Sequence, residues 1–368
     1  MRITCSKHEL MENINIVLRA VSSKSTMKVL ECILLTVQND TFIMTSNDLD
    51  NSIETAPISA HIEIPGKVAL DAKLFADIVR KMPEADIVID CDHNFVTNIS
   101  SGRVKFKIVG IDGDEFPGLE HFEKVNSFSV SSEQLKKMIR RTIFAVATDS
   151  SKPVFKGELF EISDFYFNIV AVDGFRISFA RTQIAEDLNI SKIVPGKALN
   201  ELVKILPDDE NADVKIWFSE NHVLFEMEKF TFMARLLNGE FFNYKQIFTD
   251  DYATKVVVDV ENFLLNVERV ILISEEANKS PVYLSFQENV LSVSSQTGNG
   301  SFNEDLPVET EGPPIEIAFN PWFLMDVLKN TPDKEIELYL NTPLSACVLK
   351  NSENSGYKFL IVPLRTAK

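Results

Sequence analysis

A pattern of two helices and a run of strands recurs three times along this chain of 368 residues, at intervals of about 125. It emerges when helix boundaries, not identities, are aligned. Each unit opens with a helix start: Ser6 with Glu9, Ser131 with Gln134, and Asp259, spaced 125 and 128 residues apart. In the first two, the serine oxygen can accept an orphan helix N–H while the Glu or Gln reaches back, as in a capping box. A second helix is expected over residues 71–82, 196–206 and 321–331, stopped each time by a proline, Pro83, Pro207 and Pro332. Proline cannot donate the next helical hydrogen bond, and it disfavours helix in the residue before it. Within these helices Phe75, Leu199 and Leu324 correspond, as do Ile78, Leu202 and Val327, then Val79, Val203 and Leu328, and the cations Arg80, Lys204 and Lys329. One apolar stripe and one basic position repeat at a spacing of 124 to 125 residues.

After each proline come alternating β-branched and aromatic segments, such as 86–90 and 104–109, 214–218 and 223–227, and 335–340 and 358–362, which read as antiparallel strands. The expected class is α+β, with three similar domains of two helices plus antiparallel sheets at 1–122, 123–252 and 253–368. Polar stretches at 121–126 and 249–255 mark the junctions. An apolar share of 45% suffices for several cores. The N-terminus lacks the long apolar run of a signal peptide and no stretch of about 18 apolar residues occurs, so no membrane partner and a cytoplasmic location are expected. Cys5, Cys32, Cys91 and Cys347 are scattered, without metal-ligand spacing, and read as reduced, packed thiols.

A net charge of −17 argues against general attraction to nucleic acid unless the basic residues are segregated. Such segregation is expected in the helix over 132–147, where Leu135, Met138, Ile139 and Val146 form an apolar stripe and Lys136, Lys137, Arg140 and Arg141 the opposite side. The third unit is weaker in this respect, since Glu261, Glu268, Glu275 and Glu276 outnumber Arg269 and Lys279. Catalytic constellations are absent or poor. Gly196-Lys197 lacks the upstream glycine and following Ser/Thr of a phosphate-binding loop, and Asp112, Asp114 and Glu115 lack calcium-loop spacing. No catalytic residue, metal or cofactor is expected. The segment 357–365 stays apolar almost to the end, which suggests either a final core strand or the wall of a surface groove.

Six segments together resemble the bacterial replicative sliding clamp family, the beta subunit of DNA polymerase III. They are residues 30–50, ending in Thr45-Ser46-Asn47-Asp48-Leu49; Ser101-Gly102-Arg103-Val104-Lys105-Phe106; Ala171-Val172-Asp173-Gly174-Phe175-Arg176-Ile177; Ile193-Val194-Pro195-Gly196-Lys197; Phe319-Asn320; and Ile361-Val362-Pro363-Leu364-Arg365. The resemblance covers essentially the whole chain. It implies the DNA clamp fold: a head-to-tail homodimer of three-domain protomers forming a six-domain ring around duplex DNA, loaded by an ATP-driven clamp loader. Such a ring tethers the DNA polymerase III catalytic subunit, other DNA polymerases and repair factors. It implies sequence-independent DNA contacts, assigned here to Lys24, Arg80, Lys136, Lys137, Arg140, Arg141, Lys197 and Lys204.

It also implies a partner-peptide pocket between the second and third domains, formed by Phe155, Val172, Gly174, Phe175, Arg176, Ile177, Phe242, Ile247, Leu344, Ala346, Leu360, Val362, Pro363, Leu364 and Arg365. Phe175 stands where His is common in the family, and Phe242 where Pro is common. A dimer contact of Phe106 and Ile108 with Leu272 and Ile273 of the next protomer is placed by the same resemblance. Two other classes compete: an enzyme with a site between repeats, which needs convergent titratable groups that the sequence does not offer, and a protein-only scaffold.

Overall fold

A computed structural model describes residues 1–119, 122–248, 251–274, 280–351 and 356–365. Among the described residues are six α-helices: α1 (Lys7–Val17), α2 (Ala72–Lys81), α3 (Ser132–Thr142), α4 (Gly196–Ile205), α5 (Val260–Ile273) and α6 (Pro321–Lys329). The expected caps form. Ser6 Oγ accepts from the Glu9 N–H at 3.2 Å, Ser131 Oγ from Gln134 at 3.3 Å and an Asp259 carboxylate oxygen from Asn262 at 2.9 Å. Asp71 caps α2 and Asn320 caps α6 in the same way. The second helix of each repeat ends just ahead of its proline, as the missing N–H requires.

Two helices are shorter than expected. The segment after α3 tightens into a 3-10 turn at Ile143–Ala145, and the Thr142 hydroxyl lies 3.0 Å from the Met138 carbonyl and 3.2 Å from that of Ile139. A β-branched residue that bonds back in this way favours the end of a helix over its continuation. Likewise the first helix, expected over residues 8–25, gives way to a 3-10 turn at Leu18–Ala20, so Lys24 lies in an exposed loop and not on a helix. His121, Glu275, Glu276 and Lys279, named in the charge and junction readings, lie outside the described residues.

The chain divides into two compact units, residues 1–135 with 198–236, and residues 136–197 with 237–368. In the first unit, a five-stranded sheet runs in the order His61–Ile64, Arg2–Ser6, Asp86–Cys91, Val96–Ser101, Val104–Val109. Its nine-stranded sheet joins two repeats: Asn51–Thr55 of the first pairs antiparallel with Phe230–Arg235 of the second, Thr55 opposite Phe230 and Asn51 opposite Ala234. The second unit repeats the device. Its nine-stranded sheet pairs Arg176–Gln183 of the second repeat with Tyr357–Ile361 of the third, Arg176 opposite Ile361 and Ala180 opposite Tyr357. Its four-stranded sheet runs Gly300–Pro307, Val290–Thr297, Val282–Gln287, Ile315–Phe319.

Alternation along these strands turns the apolar side chains to one face, as in Glu335–Leu340, where Ile336, Leu338 and Leu340 are buried together. Those residues meet the apolar stripes of α5 and α6, Phe263, Val267 and Val270 with Leu324, Val327 and Leu328, in one continuous core. The correspondences read from the sequence are therefore packing correspondences: Phe75, Leu199 and Leu324 are all buried.

Candidate functional site

The sharp turn Asp173–Arg176 between two strands organises the candidate peptide pocket. Asp173 Oδ1 accepts from the N–H groups of Phe175 (2.8 Å) and Arg176 (3.0 Å), and Gly174 sits at φ +97°, which a β-carbon would strain. This turn throws Phe175 outward, 54% exposed, while Ile177 two residues on points into the sheet's covered face. Val172, Ile177 and Leu360 are buried in one apolar cluster, with Phe155 and Ala346 packed against it. The loop around Tyr244 closes the same cluster through Phe241, Tyr244 and Phe248, and it leaves Phe242 and Ile247 more than a third exposed. The final segment is held by its backbone: Val362 N–H donates to the Phe175 carbonyl and Leu364 N–H to that of Ala318, both at 2.8 Å. Val362 remains 39% exposed beside Phe175, Pro363 is buried, and Arg365 is exposed. The strand reading holds as far as Ile361, where the strand stops, and Val362 and Leu364 beyond it are strapped to neighbouring carbonyls.

Arg176 is placed otherwise than the sequence suggested. Its Nε bonds Asp173 at 2.8 Å, and of its two Nη atoms one bonds Asp326 and the other the Phe144 carbonyl, each at 2.6 Å. The guanidinium also lies 4.4 Å from the Phe323 ring centroid. A planar fork so fully engaged is a strut between the turn and α6, and its charge is already committed within the chain. Sequence reasoning missed Phe323, whose half-buried ring packs on the core and lies 6.4 Å from that of Phe175. Its place three residues after the cap Asn320 was the available signal. Leu344 and Leu364 stand apart from the cluster. They line a cavity of about 480 Å3 with Tyr283, Pro313 and Pro314.

The candidate DNA-contact residues divide sharply. Lys137, Arg140, Lys197, Lys24, Arg80 and Lys204 are exposed. Arg80 bonds Asp77 and Lys204 bonds Glu201, each at 2.6 Å and one helical turn back, which blunts their charge. Lys136 is only 7% exposed, contrary to the four-cation face expected. At roughly 100° per residue it falls beside Ile139 at the edge of the apolar stripe, while Lys137 and Arg140 fall opposite. Arg141 flanks the stripe on the other side, its guanidinium 5.3 Å from the Tyr357 ring centroid and its carbonyl accepting from the Ser178 hydroxyl. The outward cations of α3 are therefore Lys137 and Arg140.

Phe106 and Ile108 lie on Val104–Val109, the last strand of the five-stranded sheet. Phe106 is 38% exposed and Val109 76% exposed. Leu272 on α5 is 83% exposed, and the neighbouring Ile273 carbonyl accepts from the Thr297 hydroxyl next to the Gly300–Pro307 strand. Among the described residues no group of His, Cys, Asp or Glu is arranged to hold a metal ion, and no helix is long and apolar enough to cross a membrane.

Repeated helix-and-sheet domains joined edge to edge through shared sheets define a processivity-clamp architecture. Family models for the DNA polymerase III beta subunit match in chain order: the N-terminal domain at 1–120, the central domain at 129–243 and the C-terminal domain at 245–365. The beta sliding clamp of Bacillus subtilis is 30% identical over 378 residues and that of Halalkalibacterium halodurans 32% over 380, each alignment covering 100% of both chains. Solved structures of a DNA polymerase III beta subunit from Eubacterium rectale (36% identity) and of the Bacillus subtilis sliding clamp (30%) each superpose with a TM-score of 0.96 and full coverage of both chains. The chain belongs to the bacterial DNA polymerase III beta sliding clamp family, whose members are processivity factors without a catalytic step of their own.

Proposed function

We propose that two copies of this chain close head to tail into a six-domain ring around duplex DNA, with domains at 1–122, 123–252 and 253–368. One observation carries this reading. Within the chain, Asn51–Thr55 pairs with Phe230–Arg235, and its counterpart one repeat later, Arg176–Gln183, pairs with Tyr357–Ile361. Continuing the series, the third-repeat counterpart is Gly300–Pro307, and the first-repeat counterpart of Phe230–Arg235 is Val104–Val109. Both are terminal strands of their sheets. Edges of this kind invite pairing, and a second copy supplies it in a heterologous contact that closes on itself. Lys105 and Lys107 on one edge and Glu304 and Asp305 on the other complement each other in charge. Phe106 and Ile108 then meet Leu272 and Ile273 of the next protomer.

Lys137, Arg140, Lys197, Lys24, Arg80 and Lys204 contact phosphates loosely and without base readout, so the ring can slide. The surface of Phe155, Val172, Phe175, Ile177, Phe242, Ile247, Leu360 and Val362 takes a short peptide with aliphatic and aromatic anchors. Its carriers are the DNA polymerase III catalytic subunit, the clamp loader, and other polymerases and repair factors of the cytoplasm. The test is topological. After loading, the protein should stay on nicked circular DNA through gel filtration and leave when the circle is linearised. Equal retention on both forms, or on neither, contradicts an encircling ring.

A further inference from the structure

Two turns in this chain are built on one backbone frame. In the second repeat Asp173 Oδ1 accepts from the N–H groups of Phe175 and Arg176, the Asp173 N–H donates to the Arg176 carbonyl at 3.4 Å, and the Val362 N–H donates to the Phe175 carbonyl. In the first repeat, 125 residues earlier, Asp48 Oδ1 accepts from the N–H groups of Asp50 (3.1 Å) and Asn51 (2.7 Å). There the Asp48 N–H donates to the Asn51 carbonyl at 3.0 Å and the Arg235 N–H to the Asp50 carbonyl at 2.9 Å. The second position of each turn is left-handed, Leu49 at φ +76° and Gly174 at φ +97°. What the two frames carry differs. Asp50 stands where Phe175 does, Asn47 and Ser52 where Val172 and Ile177 do, and Arg235 where Val362 does.

The backbone bonds form with either set of side chains, so the frame does not require an apolar residue at 175 or 362. A phenylalanine 54% exposed and a valine 39% exposed are therefore not explained by folding of the turn. The Phe175 ring is also held in place. It stacks on Phe323 with centroids 6.4 Å apart and planes at 29°, and Phe323 carries the Arg176 guanidinium 4.4 Å from its centroid. A ring fixed before binding loses little side-chain freedom when a ligand covers it, and its exposed surface can extend the stack by one more ring. An acidic group finds no such welcome there. Arg176, the one cation of the turn, already has Asp173 at 2.8 Å and Asp326 at 2.6 Å around its guanidinium.

We infer that Phe175, with Val362 beside it, sets the selectivity of the peptide surface: it takes a segment whose aromatic side chain stacks on the Phe175 ring, in preference to one with a polar or acidic residue at that position. The inference rests on the peptide-pocket reading and names the class of peptide that the same site takes. Aliphatic anchors fill the apolar cluster of Val172, Ile177 and Leu360, and the aromatic one lies on the rim that Phe175 forms. Ring-on-ring geometry then adds a preference that area alone does not give.

Affinity selection of random hexapeptides displayed on phage, with the full chain as bait, tests it. Sequences selected on the parent should share an aromatic residue at one fixed position. By calorimetric titration, replacing that residue with Ser or Asp should weaken binding roughly threefold to tenfold. Phe175→Asp and Val362→Arg carry the residues of the first turn, so each should keep the parent's melting temperature. Phe175→Asp should lose the aromatic preference, and Val362→Arg should bind the selected peptides more weakly. Phe175→Leu, which keeps an apolar side chain, serves should the aspartate variant melt early: it should bind the aromatic peptide and its leucine counterpart alike. An aromatic preference that persists in both Phe175 variants, or a parent that binds the aromatic, Ser and Asp peptides equally, overturns the inference and leaves the apolar pocket standing. Selection of no peptide by the parent overturns the pocket and this inference together.

Discussion

Glu158 is a fully buried carboxyl at the start of the Gly157–Ser163 strand, and neither of its oxygens has a hydrogen-bond partner. Burial pushes its pKa up to about 8, an effect the nearby Thr142 hydroxyl offsets only in part. The sign of the pH effect follows. In the unfolded chain this group ionises near its ordinary value of 4.5, so folding must keep it protonated at neutral pH. Its contribution is fully present below 4.5 and is lost as pH rises towards 8. Replacing it with a near-isosteric apolar residue removes that penalty. Glu158→Met should therefore be more stable than the parent at pH 7.5 by a few kcal/mol at most, on the order of 2. The gap should narrow as the pH is lowered towards 5.5 and stop growing above about 8.5. Urea unfolding of both proteins across that range is the check, and a pH-independent difference would show that Glu158 does not titrate in this way. No local pattern in the sequence marks this position: in an alternating strand, a Glu reads as outward until the covering elements are known.

Helix α3 shows at the element scale how a pattern can be right in kind and wrong in extent. Its cap and apolar stripe were legible, because capping and 3.6-residue periodicity are near-neighbour properties. The four cations are not equivalent, and nothing in the local pattern marks this, since a stripe's width depends on what packs on it. With Lys136 buried and Arg141 over Tyr357, Lys137 and Arg140 are the pair that should touch phosphate. Substituting both with Gln should flatten the plot of log affinity for duplex DNA against log salt by roughly 0.9 per lost contact, without changing sequence preference. Substituting Lys136 with Gln should leave the slope unchanged. A slope that responds to Lys136 and ignores Lys137 and Arg140 would reverse the assignment. Fluorescence anisotropy with labelled duplex over a salt series measures it.

For the whole molecule, the proposed closure puts a third sheet join between copies, through the Val104–Val109 and Gly300–Pro307 edges. Sedimentation equilibrium at micromolar concentration should give twice the chain mass of 41.5 kDa. A charge placed in the contact by Ile108→Asp should yield monomer, because an unpaired buried charge in an apolar interface costs several kcal/mol. Its melting temperature should stay close to the parent's, since Ile108 lies on an edge strand. Monomer from the parent chain, or dimer from the variant, would remove the support for head-to-tail closure.

The sequence alone determined the threefold repeat, the positions of the six helices to within a few residues at most ends, the strand-rich remainder, and the absence of a catalytic motif. These depend on caps, prolines and periodicity, which act within a few residues of one another. Which strands pair was decided by tertiary structure, since Asn51–Thr55 finds its partner in the next repeat and nothing local names it. Tertiary structure also decided how Arg176 is held, as a strut between the turn and α6. An arginine's neighbours in the chain do not reveal that Asp326 and Phe323 will converge on its guanidinium.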